Sequence, residues 1–136
     1  MILLPPSLRF ALRANDIARR AAAARDMAEP DPVPVLKLFN PLGAATWLAT
    51  ELAEDGDVLF GLADLGFGCP ELGYFSLSEI ASVRLPFGLF IERDHNFEGL
   101  APLSRWADLA RRHGSILDAE RVLRAGSSPE LPSTDG

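Results

Sequence analysis

Apolar positions three and four apart open the chain. Leu8, Ala11 and Leu12 follow Pro5 and Pro6 at helix spacing, and proline suits a first helical turn. Asn15 and Asp16 prefer caps and turns, so the pattern predicts a break there and a second helical run from Ile17 to about Met27 through the alanines Ala21 to Ala24. Pro30, Pro32 and Pro34 then impose a stiff, extended connector. From Val35 the period falls to two. Val35 to Phe39 reads as a strand, Asn40-Pro41-Leu42-Gly43 as a turn, and Ala45 to Leu52 as a second strand. Helix competes for Thr46 to Leu52, but the Asp55-Gly56-Asp57 hairpin signal between two apolar runs favours strand.

Val58 to Leu65 is the third expected strand, followed by the loop Gly66-Phe67-Gly68-Cys69-Pro70, and Leu72 to Phe75 is the fourth. Ser76-Leu77-Ser78-Glu79 matches a capping box before a short helix anchored by Ile80 and Val83. Leu85-Pro86-Phe87-Gly88 turns the chain into a fifth strand, Leu89 to Arg93. Ser104 is placed to cap an amphipathic helix running to His113, stopped by Gly114, and a short helix from Asp118 to Arg124 follows. Short links between successive strands favour antiparallel neighbours. The expected fold is α+β: a central antiparallel, meander-like sheet of about five strands packed by N- and C-terminal helices. Residues 1–125 form one expected domain, and the Ser/Pro/Gly-rich residues 126–136 a disordered polar tail.

Composition narrows the function classes. The chain of 136 residues is 48% apolar, enough for one cored domain. No apolar run approaches the roughly 20 residues of a membrane helix, and MILLPP lacks the basic start of a secretory signal. One cysteine, Cys69, excludes an intramolecular disulfide, and a cytoplasmic protein is expected. The net charge of −6 is uneven. Arg9, Arg13, Arg19, Arg20 and Arg25 crowd the first helix, whereas Glu29 to Glu71 sets Lys37 alone against eight acids. This balance argues against holding nucleic acid mainly by phosphate neutralisation, although the basic helix offers a local contact for an acidic partner.

No familiar catalytic signature is present: no phosphate loop, no nucleophile elbow, no His-Glu-x-x-His. One cysteine and two histidines cannot close a zinc site, and no cofactor, metal or catalytic residue is assigned. Polar groups that can converge remain. With strict alternation, Lys37, Trp47 and Glu51 project from one sheet face and Leu36, Leu38, Leu48 and Leu52 from the other, with Asp64 able to join the first. Such a face is a candidate ligand platform. The bland alternative is a Lys37–Glu51 ion pair with Trp47 under a helix. Glu92 and Asp94, with Glu71 or Asp64 nearby, supply carboxylates for Mg²⁺ or for acid–base work. The structural alternative has Arg93 tying loops together and Asp94 capping a turn. Tyr74 completes the candidate binding residues.

The runs KLFNPLGAATWLATEL, GDVLFGLADLGFGCPELGYFSLSEI and GLFIERDHNF resemble the bacterial family known as domain of unknown function DUF2958. The Trp47…Glu51 pair, Phe60-Gly61, Asp64-Leu65-Gly66, Glu71-Leu72-Gly73-Tyr74 and Glu92-Arg93-Asp94 carry the likeness, while Ile17 to Pro34 and the tail look peculiar to this chain. The resemblance implies a small cytoplasmic protein, often encoded on plasmids and integrating conjugative elements, and supplies no activity. The first expectation is a non-enzymatic accessory protein contacting a protein or nucleic acid through the Trp47 face or the basic helix. The alternative is a metal-dependent hydrolase or nuclease-like enzyme using Asp64, Glu71, Glu92 and Asp94. A third reading makes the protein a purely structural partner.

Overall fold

Five antiparallel strands form one sheet in the order β4-β3-β2-β1-β5 in the computed structural model, which describes residues 4–127. The strands are β1 (Leu36–Phe39), β2 (Thr46–Leu52), β3 (Val58–Asp64), β4 (Glu71–Ser76) and β5 (Glu92–Arg93). The helices are α1 (Pro6–Ala24), α2 (Leu77–Ser82), α3 (Leu103–His113) and α4 (Ile116–Ser127). The fold is therefore α+β. Four strands run as a meander, and β5 returns to pair with the free side of β1. Both faces are covered. Leu36, Leu38, Ala49, Leu52 and Leu59 pack with Leu12 of α1 and Ile80 of α2, whereas Leu48 and Leu62 pack with Trp106, Leu109 and Ala110 of α3 and Ile116 and Ala119 of α4.

The β2–β3 hairpin turns at Asp55-Gly56-Asp57, with Gly56 at φ 76° and the Asp55 carboxylate accepting from the N–H groups of Asp57 and Val58. Thr46–Leu52 is strand, and half of the expected capping box forms: the Ser76 hydroxyl accepts from the Glu79 N–H, with no return bond from the Ser76 N–H to the Glu79 carboxylate among the described residues. A bulge at Thr50 breaks strict alternation, because the pairing with β3 shifts between Ala49 and Glu51. Gly61 lies opposite Ala49, where an added Cβ would stand 1.8 Å from the Leu48 carbonyl oxygen. The absent side chain is what lets the bulged strand approach so closely.

Four expectations change. The first helix is continuous through Asn15 and Asp16, because both side chains bond elsewhere instead of competing for their own backbone. Asn15 donates to the Thr50 carbonyl at 2.9 Å, and Asp16 accepts from Arg13 and Arg20. The fifth strand shrinks to Glu92–Arg93, because Leu89 and Phe90 fold back on Leu85 and Arg84 around a 3-10 turn at Pro86–Gly88. Ser104 is not the cap of α3. The residue at that position is Pro102, and Asp31 of the connector that holds Pro30, Pro32 and Pro34, the proline arm between α1 and β1, reaches in from outside to accept from the Ser104 N–H and hydroxyl. Finally α4 takes in Gly126 and Ser127, the first two residues of the expected tail; residues 128–136 lie outside the described residues.

Candidate functional site

Strand register decides which of the candidate residues can meet, since residues directly opposite share a face. One row reads Arg93, Leu38, Trp47, Ala63, Glu71, and faces α1 and α2. Across the other face run Glu92, Phe39, Thr46, Asp64, then Lys37, Leu48, Leu62, Leu72, and then Glu51, Phe60, Tyr74. Trp47 therefore parts from Lys37 and Glu51, and Leu48 parts from Leu36, Leu38 and Leu52. The platform expected from strict alternation does not form, because β1 pairs Leu38 with Trp47 and the Thr50 bulge resets the phase of Glu51.

Lys37 and Glu51 do not pair with each other. Lys37, 8% exposed, donates through its ammonium to Glu120 of α4 at 2.7 Å and lies 3.5 Å from Asp94, while Arg124 holds the other Glu120 oxygen at 3.0 Å. This closed network ties β1, the turn after β5 and α4 together. Asp94 also caps its turn by accepting from the Asn96 N–H at 2.9 Å. Asp64, fully buried, accepts from the N–H groups of Gly66 and Ile116, each at 2.9 Å, and so anchors the first turn of α4. Arg93 makes no ion pair among the described residues, and its Nε is buried without a partner. Among the described residues no three His, Cys, Asp or Glu side chains gather as metal ligands, so Asp64, Glu71, Glu92 and Asp94 do not form the expected cluster.

Glu51 and Tyr74 do come together. They line a cleft of about 370 Å³ with Arg19, Phe60, Asp31 and Ser104. Its floor is ionic: Arg19 Nε lies 3.0 and 2.9 Å from the two Glu51 oxygens. That hydrogen bonding raises the Arg19 guanidinium above its ordinary value, outweighing burial. Arg19 is itself steered by Asp16, which also holds Arg13 and Arg20. Burial pushes the Asp16 carboxyl up, but hydrogen bonds from Arg13 and Arg20 and their charges outweigh it and leave the group below its ordinary value. One wall is aromatic. Phe60 and Tyr74 stand with centroids 5.0 Å apart, tilted 57°, and Tyr74 is 67% exposed. The proline arm also lines the cleft, through Glu29, Pro30, Asp31 and Pro32.

Arg19, Glu29, Asp31, Phe60 and Ser104 were not among the candidates read from sequence. Arg19 belongs to a visible basic helix, but its target is 32 residues away. Asp31 sits between prolines, a rigid placement that hints at a fixed role, yet its partner lies 73 residues on.

A family model described as protein of unknown function (DUF2958) matches residues 3–117. The chain belongs to that family. None of the curated proteins and none of the solved structures compared with it matches.

Proposed function

We propose that this is a non-catalytic binding protein that takes a positively charged segment of a protein partner into the Glu51–Tyr74 cleft. The observation that carries the reading is a highly exposed Tyr74 on the wall of a cleft whose lining sets Glu29, Asp31 and Glu51 against the single base Arg19. An aromatic face takes a cation at about 0.5–2 kcal/mol, and the excess of carboxylates adds attraction. Leu72, Leu103 and the prolines give the aliphatic stem of a lysine or arginine an apolar bed. Nucleic acid suits the surface less well. Arg13, Arg19 and Arg20 of the basic helix are engaged by Asp16 and Glu51, and the chain carries −6 overall. An accessory role in mobile DNA, implied by the family resemblance, fits a protein that works by holding a partner.

Calorimetric titration of the full chain tests this with three probes: a short lysine–threonine peptide, its glutamate–threonine counterpart and a DNA duplex. The lysine peptide should bind saturably, in EDTA as well as without it, and more weakly as salt rises. Glu29→Gln and Tyr74→Ala should each weaken it. Equal binding of the glutamate peptide or the duplex, or no binding of the lysine peptide, would refute the reading.

A further inference from the structure

β4 is an edge strand, and the phase of its ladder fixes which backbone groups face outward. The Leu77 N–H donates to the Asp57 carbonyl, and the Ala53 N–H donates to the Val58 carbonyl. Val58 thus turns its backbone to β2, and Leu59 turns its own to β4. Because hydrogen-bonded and non-bonded pairs alternate, Leu59/Phe75, Gly61/Gly73 and Ala63/Glu71 exchange bonds, whereas Leu72 and Tyr74 aim N–H and C=O away from the sheet. Among the described residues nothing takes up those groups. Leu72 and Tyr74 are also the two β4 residues whose side chains line the cleft.

We propose that the partner segment binds as a sixth strand along β4, so that the open sheet edge and the cleft are one site. This rests on the reading of the cleft as a seat for a basic segment. A strand paired with β4 places the residues opposite Leu72 and Tyr74 on the cleft face and those between them on the other face. The segment must therefore carry its lysines or arginines at alternate positions, beside the Tyr74 ring and the carboxylates of the proline arm. Gly73 sets no side chain at the middle of the edge, and an added Cβ there meets nothing within 4 Å. Pro70 before the strand and α2 after it limit the pairing to a short segment. A second copy of the chain is the poorer occupant. Pairing two β4 edges would bring Glu71 and the acidic cleft of one copy against those of the other, between chains of charge −6.

Amide hydrogen exchange by NMR on the full chain separates the possibilities. The probes are the lysine–threonine peptide and the same peptide N-methylated at its lysines, which keeps every charge but removes the donors that would face β4. The unmodified peptide should slow exchange at Leu72 and Tyr74 by about tenfold or more, with Gly73 and Phe75, already in the ladder, little changed. N-methylation should weaken binding by about tenfold or more. Leu72→Pro removes an outward donor and leaves the β3 ladder intact; it should lose the protection at Tyr74, which Leu72→Val should keep. If both peptides bind equally, or the peptide binds without protecting Leu72 and Tyr74, strand addition is wrong and the cleft reading stands. Binding by neither peptide overturns both. A dimer mass with those amides protected in the absence of peptide assigns the edge to a second copy and overturns the proposal.

Discussion

Lys37 and Glu51 occupy the same face of one sheet, and each meets an oppositely charged group from a distant helix. At Lys37 the helix α4 closes over the pair: Glu120 is held from both sides, by Lys37 and by Arg124, and Asp94 completes the network. At Glu51 the pair with Arg19 lines a cleft instead, together with Phe60, Tyr74 and the proline arm. The difference teaches that burial of a charge does not mark a site. What marks one is a satisfied charge beside unsatisfied surface, here the exposed Tyr74 ring and the open edge of β4.

The largest effect should come from removing the floor. Arg19→Ala leaves Glu51, 5% exposed, without its cation and should cost about 3–5 kcal/mol by urea denaturation. A loss below 1 kcal/mol would mean another base has replaced it. Gly61→Ala should cost about 3 kcal/mol, the upper end for overpacking, because the new Cβ meets backbone and no flexible side chain that can give way. It strikes the bulge that sends Glu51 to the cleft, so it should also weaken peptide binding. At the closed end, Lys37→Ala should cost about 2 kcal/mol, less than at Arg19 because Glu120 keeps Arg124. It should leave peptide binding at the cleft unchanged. If binding falls with it, the two ends are not independent.

Acid should weaken the Arg19 end through Asp16. Its folded pKa lies below its unfolded value of about 3.9, so its stabilisation is complete above that value and is lost as pH falls through the folded one. The Tm difference between the native chain and Asp16→Asn should be greatest near neutral pH and shrink as pH falls below about 3.9. A constant difference would show that charge is not what Asp16 contributes. The smallest effect on stability belongs to Tyr74→Ala, which should stay within about 0.5–1 kcal/mol, since the ring is largely exposed and loses chiefly its contact with Phe60. Its mark should be on binding.

Much of this fold was legible because its signals are local. The strand at Thr46–Leu52, the Asp55-Gly56-Asp57 turn and the Ser76 helix cap depend on residues within a few positions of one another, and each stands where the pattern puts it. The site was legible only in part. Glu51 and Tyr74 were visible as polar residues on strands, but the partition of Lys37, Trp47 and Glu51 between faces turned on the β1–β2 register, which sets Lys37 opposite Leu48, and on one extra residue in β2, Thr50. A bulge has no local signature here, because the space for it comes from Gly61 on the neighbouring strand.

Chain chemistry by itself determined the α+β class, the order of strands along the meander and an acidic composition, since backbone preference and hydrophobic period act over short stretches. Tertiary structure alone decided that Asp31 caps α3, that Asp64 holds α4, and that Arg19 pairs with Glu51. The reason is physical. A buried charge must find a partner wherever the fold supplies one, and that partner's place in the sequence is set by packing, not by proximity along the chain.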